Sequence, residues 1–132
     1  MSVLNKTFGD RKSPMPYKRI TSVYKGIQGT DESFATPDKA NAVVMAAGTL
    51  EISEFDSDYP ALVLGNYMLG GGFLNSRLAT RIRQNEGLSY SVGSQLEADA
   101  MDKNGTFLFS AICAPQNASK VEKVYQDELI RS

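Results

Sequence analysis

The 132 residues, 42% hydrophobic and 22% charged, describe one globular domain and exclude a fibre, a disordered tail and a disulfide scaffold. With 14 basic residues against 15 acidic ones, the net charge of −1 offers no electrostatic footprint for nucleic acid or an anionic membrane surface. The chain has no histidine and a single cysteine, Cys113, which excludes a histidine-containing zinc site, a Ser-His-Asp triad, a Cys-His dyad and an intrachain disulfide.

Residues 1–17 mix Asn, Lys, Gly, Asp and Ser with Pro14 and Pro16 and read as a linker; nothing from Met1 to Asp10 resembles a signal peptide, and the compartment stays open. A short strand is expected around Ile20 to Tyr24, followed by turn residues at Gly26, Gly29 and Asp31. Asn41 to Leu50 is a mostly apolar, valine-containing run of strand length, expected to be buried on at least one face. After the acidic stretch Glu51 to Asp58, Pro60 suits the first turn of a helix capped by Ser57 or Asp58. Ala61 to Leu69 is apolar nearly all round, the pattern of a helix with little contact with water. Gly70 to Gly72 stop it, and a second helix from Asn75 or Ser76 carries Leu78, Ala79 and Ile82 to the core and ends at Gly87.

From Leu88 to Ala100 apolar and polar residues alternate, which places Tyr90 on the apolar face with Leu88 and Val92 and opposes Ser89 and Ser91 to them. Asn104-Gly105 is a hairpin dipeptide, so Thr106 to Ala114 reads as the antiparallel return strand. Asn117 to Ser132 is an amphipathic helix with Val121, Val124, Tyr125 and Leu129 on one stripe, capped by Asn117 or by a Ser119/Glu122 box. The sum is an α+β domain, an antiparallel sheet with helices packed on one face.

Several clusters carry two readings. Gly70 to Gly72 is either a phosphate cradle or a flexible connection, and it lacks the Lys-Ser/Thr of a P-loop. Arg77, Arg81 and Arg83 form either a patch for carboxylates or carbonyls or a solvated face, with Arg83 placed to pair with Glu86. The acidic loop lacks EF-hand spacing and reads as solvated, and Cys113 as a small buried hydrophobe.

The run Gly70 to Ser94, GGGFLNSRLATRIRQNEGLSYSVGS, resembles the signature stretch of the second half-domain of pitrilysin/insulinase-type zinc metallopeptidases. The likeness lies in the glycines, the Leu-Asn-Ser-Arg-Leu helix start, Arg83, Gly87-Leu88, and Tyr90 seven residues after Arg83, and it extends from TPDKANAVV at Thr36 to Val44 through to about Arg131. It implies a metallohydrolase half-domain (LuxS/MPP-like) over residues 18–132, part of a longer chain. In that family a zinc-bearing partner half, on the same chain or a separate subunit, holds the metal through His-x-x-Glu-His and a distal glutamate. No catalytic or metal-binding residue is then expected in this chain, and zinc is expected in the partner half only.

The resemblance assigns Arg83 and Tyr90 to the peptide substrate, as donors reaching across the cleft to its backbone. A preplaced phenol or guanidinium near the oxyanion of a peptide under attack lowers the barrier, commonly by a few kcal/mol. Such a chain is a substrate-cleft half of a metalloendopeptidase, inactive alone. The alternatives are a non-catalytic, structural or peptide-holding homologue of the same family, and an anion-binding module built on the Gly70 to Gly72 loop. A ring packed on the apolar face with a wet hydroxyl is what lets Tyr90 serve both alternation and cleft.

Overall fold

Valines and small residues build β1 (Ala42–Leu50), and the regular alternation downstream builds β2 (Ser89–Ala98) and β3 (Gly105–Cys113). In the computed structural model, which describes residues 2–131, β3 lies between the other two strands and pairs antiparallel with both. Period-2 alternation sends Phe109, Ala111 and Cys113 of this central strand to one face, where all three are buried. Helices fill that face: α3 (Ala118–Ile130) contributes Val121, Val124 and Tyr125, and the helical segment after Ser76 contributes Leu78 and Ile82. The rings of Phe109 and Tyr125 stack with centroids 4.0 Å apart. On the opposite face Val43 and Met45 stand more than half exposed, so the helices cover one side of the sheet as expected.

The second helical run starts and stops where its residues dictate. Ser76 is fully buried, and its hydroxyl accepts from the Ala79 N–H at 3.3 Å, satisfying a donor that the helix leaves free. At the other end Gly87 takes φ +61°, and the Leu88 N–H reaches back to the Ile82 carbonyl at 2.9 Å. Between these ends the backbone widens into a π-helix, Ala79–Asn85, a form that recurs at functional sites.

Several expectations need correction. No strand forms around Ile20 to Tyr24; Ile20 is 94% exposed, and polar contacts fasten the segment to β1 and to the loop between β2 and β3. Arg19 pairs with Asp102 at 2.7 Å, the Ser22 N–H donates to the same carboxylate at 2.6 Å, and Thr49 Oγ1 donates to the Lys25 carbonyl at 3.2 Å. Upstream, residues 1–17 include a helix α1 (Ser2–Phe8) with no buried residue.

The second correction concerns α2 (Tyr59–Asn66), which continues into a π-helical turn, Tyr67–Gly71. Its apolar sequence predicts burial, yet no residue of α2 is buried and Leu64 is 61% exposed. The chain reaches the core only in the turn that follows α2, where Leu69 and Gly70 are buried, so the apolar residues of α2 itself stay outside it.

The third is the hairpin. Asn104-Gly105 is not a two-residue turn: residues 99–104 form a longer loop in which Asp99 Oδ1 accepts from the N–H groups of Met101 and Asp102 at 2.8 and 3.0 Å. Gly105 serves packing instead, since a Cβ there would stand 2.8 Å from Ile52 Cγ2. The fourth is the α3 cap. Asn117 occupies the N-cap position without capping; its Nδ2 donates to the Leu88 carbonyl at 3.3 Å and so fastens the start of β2 to α3.

The acidic loop is folded rather than merely solvated. The Ser53 N–H and hydroxyl donate to Asp56 Oδ2 at 2.7 and 2.8 Å, and Lys103 stands 3.1 Å from Oδ1. These bonds, the Ser53 amide first, hold the Asp56 carboxyl at about 2 against an ordinary 3.8. A depressed folded-state value means that the stabilisation is complete above 3.8 and disappears as pH falls through about 2. Asp99, Asp102 and Glu128 are displaced in the same direction. Thermal melts should therefore show Tm falling steeply between about pH 4 and pH 2, and Asp56→Asn should lower Tm at neutral pH while flattening part of that fall.

Candidate functional site

Arg77 and Arg81, four residues apart, share a helix face. Across it lies Glu128 of α3, its side chain only 7% exposed. Arg77 Nε and Nη2 donate to Glu128 Oε2 at 3.1 and 2.8 Å, and Arg81 Nη1 donates to Oε1 at 2.7 Å. Burial pushes the Glu128 carboxyl up, but the hydrogen bonds from Arg81 and Arg77 outweigh it and hold the group below its ordinary value. Arg81 also donates through Nε to Glu86 at 3.2 Å. Glu86 is thus Arg81's partner and not Arg83's, contrary to the spacing-based expectation.

Arg83 follows Arg81 by two residues, roughly half a turn further round, and so faces away from Glu128. Its side chain is exposed and has no hydrogen bond or ion pair among the described residues. The three arginines are therefore not one patch. Two are structural clamps, and the third is left with its donors open.

Tyr90 departs from the alternation. Ser89 pairs with Cys113 and Ser91 with Ile112, so two steps along β2 match one along β3 and Tyr90 is the extra residue of a β-bulge. The Ser89 hydroxyl pins this bulge: it accepts from the Ser91 N–H at 3.2 Å and lies 2.6 Å from the Ile112 carbonyl, to which it donates. Ser89 is consequently buried where alternation predicts exposure, and Tyr90 is 62% exposed where alternation predicts an apolar face. No packed-ring compromise is needed, because the bulge re-aims the whole side chain outward. Arg83 and Tyr90 line the same concavity, a hollow of about 70 Å³ whose other walls include Phe73, Leu74 and Val92.

The glycine loop makes this meeting possible. Gly70 is buried against β2, where a Cβ would fall 2.6 Å from the Ser94 backbone nitrogen and closer still to its Oγ. Ser94 in turn donates from Oγ to Asn66 Oδ1 at 2.7 Å. The Gly72 N–H is spent on the Tyr67 carbonyl at 2.7 Å, and the loop leaves the C-terminal end of a helix, where carbonyls rather than N–H groups face outward. These glycines serve close approach; the features of a phosphate cradle are missing.

Among the described residues no group of three His, Cys, Asp or Glu side chains could hold a metal ion. With no histidine in the chain either, the donor set does not fit a catalytic zinc. Cys113 is buried behind the sheet, and desolvation pushes its thiol up, away from the reactive thiolate. Sequence reasoning alone missed Ser89, Glu128 and Phe73; the first two act through partners 23 and 47 to 51 residues away, which no local pattern reports.

An antiparallel sheet with helices on one face is the architecture of an α+β metallohydrolase half-domain. The chain belongs to the family described as the peptidase M16 inactive domain, whose model matches residues 1–132. It is similar, at 31% identity and a TM-score of 0.63, to a crystal structure of a peptidase M16 inactive domain from Pseudomonas fluorescens. The match covers 70% of this chain and 22% of that one, so the chain corresponds to under a quarter of the solved protein's length. Comparison with curated proteins yields no match.

Proposed function

We propose that this domain is the metal-free half of a zinc metalloendopeptidase, which positions peptide for hydrolysis by a zinc-bearing partner half. The observation that supports this reading best is the separation of the arginines. Arg77 and Arg81 are consumed by Glu128, whereas Arg83 keeps its donors and shares a hollow with the extruded Tyr90. A guanidinium and a phenol that line one hollow can both donate to one peptide carbonyl oxygen. As water adds to that carbonyl, negative charge grows on the oxygen and the two hydrogen bonds strengthen, which is the condition for lowering the barrier rather than only binding the peptide.

The chain alone is then expected to cleave no peptide and to take up no stoichiometric zinc in equilibrium dialysis, while adding the zinc-bearing half gives cleavage. Peptidase activity of the purified chain alone, or one tightly bound zinc per chain, would overturn the reading.

A further inference from the structure

Phe73 stands immediately after the three glycines, yet it, and none of them, takes the left-handed backbone of that turn, with φ +54°. For a bulky residue this is a genuine outlier. The conformation is held from outside. Buried Ser76 donates to the Phe73 carbonyl through Oγ at 2.8 Å and through its N–H at 3.3 Å, and Gln84 Nε2 donates to the next carbonyl, Leu74, at 2.7 Å. Packing does not account for the ring, which is 76% exposed. Glycine would occupy the same turn without strain, so the side chain's place at the rim of the Arg83/Tyr90 hollow is what the strain preserves.

We infer that Phe73 is a specificity-determining residue, the apolar wall against which an aliphatic side chain of the peptide substrate packs, next to the carbonyl held by Arg83 and Tyr90. This rests on the peptide-positioning function proposed above. Leu74, Ala79 and Val92 complete the apolar lining. Size selects the ligand class: the hollow holds about 70 Å³, roughly half of an engineered cavity of about 150 Å³ that accepts benzene. On that scale a side chain of three or four carbons, such as valine or leucine, matches the hollow better than a six-membered ring.

The test titrates the ¹⁵N-labelled chain with three blocked hexapeptides that differ only in one central residue, Leu, Phe or Gly. The leucine peptide should bind about fivefold or more tightly than either other peptide. Phe73→Ala should bring the Leu/Gly ratio close to one, while Arg83→Ala should weaken all three peptides together and leave the ratio standing. Phe73→Gly should lose the same selectivity and yet raise Tm by about 3 °C, because it releases the strain. If peptides bind in an Arg83-dependent way but the ratio survives Phe73→Ala, the Phe73 inference alone is overturned. Failure of every peptide to bind overturns it together with the function on which it rests. A lower Tm for Phe73→Gly, or tighter binding of the phenylalanine peptide, also overturns it.

Discussion

Replacing Arg83 by alanine in the assembled peptidase is expected to lower kcat/KM by about 10²- to 10³-fold, the usual loss when one preplaced donor to a developing oxyanion is removed. Thermal stability should barely change, because the Arg83 side chain is exposed and contacts no partner among the described residues. Tyr90→Phe keeps the ring and removes only the hydroxyl, so it should give a loss of similar kind with Tm unchanged; the ring already stands outside the core on its bulge. The control is Arg77→Ala, which removes one of the clamps on Glu128 and should lower Tm while costing kcat/KM far less than Arg83→Ala, because Arg81 still ties the segment to Glu128. Steady-state kinetics on the three variants decide the matter. Unchanged kcat/KM in Arg83→Ala and Tyr90→Phe would remove both residues from the site.

Gly70→Ala should destabilise the chain by about 3 kcal/mol, at the upper end of the cost of overpacking, and lower Tm by roughly 10 °C. The new methyl group has nowhere to go: the Ser94 backbone nitrogen lies 2.6 Å from its position, and β2 cannot yield there without breaking its ladder to β3. Gly48→Ala offers a matched comparison, with nothing within 4 Å of the added carbon, and should leave Tm nearly unchanged. Chemical denaturation of the two variants measures the difference. If the glycines were an anion cradle, Gly70→Ala would spare stability and cost only ligand affinity; equal stability of the two variants would therefore refute the packing role.

Both results bear on how the site is assembled. Gly70 lets the π-helical turn lie directly on β2 at Gly93 and Ser94, and this contact carries the following Phe73 and Leu74 to the Arg83/Tyr90 hollow. The Glu128 clamp does the corresponding work from the other side, locking the segment that carries Arg83 to α3. The site is thus positioned by a close backbone contact and a nearly buried ion pair, while its own donors remain free.

Much of this is written locally in the chain. The valine-containing run gave β1 within a residue of its expected start, the Ser76 cap and Gly87 terminus follow from short-range backbone chemistry, and Leu78, Ile82, Val121, Val124 and Tyr125 are core residues by periodicity alone. The absence of histidine settles from composition that no histidine-ligated metal can sit here. What failed were inferences that needed a partner in space. Apolar residues in α2 call for a surface to cover them, but whether one lies against them depends on where the fold places the helix, and here only the turn after it reaches the core. Alternation assigned Tyr90 to the apolar face because a period-2 pattern continues undisturbed until something interrupts it. The interruption, a bulge pinned by Ser89 to a carbonyl 23 residues away, exists only once β2 and β3 have paired.

The sequence by itself therefore determined the elements, the core stripes and the impossibility of a histidine-held metal, since each depends on residues close together in the chain or on composition. Only the tertiary structure decided which arginine stays free, which way Tyr90 points and that Phe73 takes a left-handed backbone at the rim of their hollow. Those outcomes depend on Glu128, Ile112 and the neighbouring hollow, groups that meet these residues across the fold and not along the backbone.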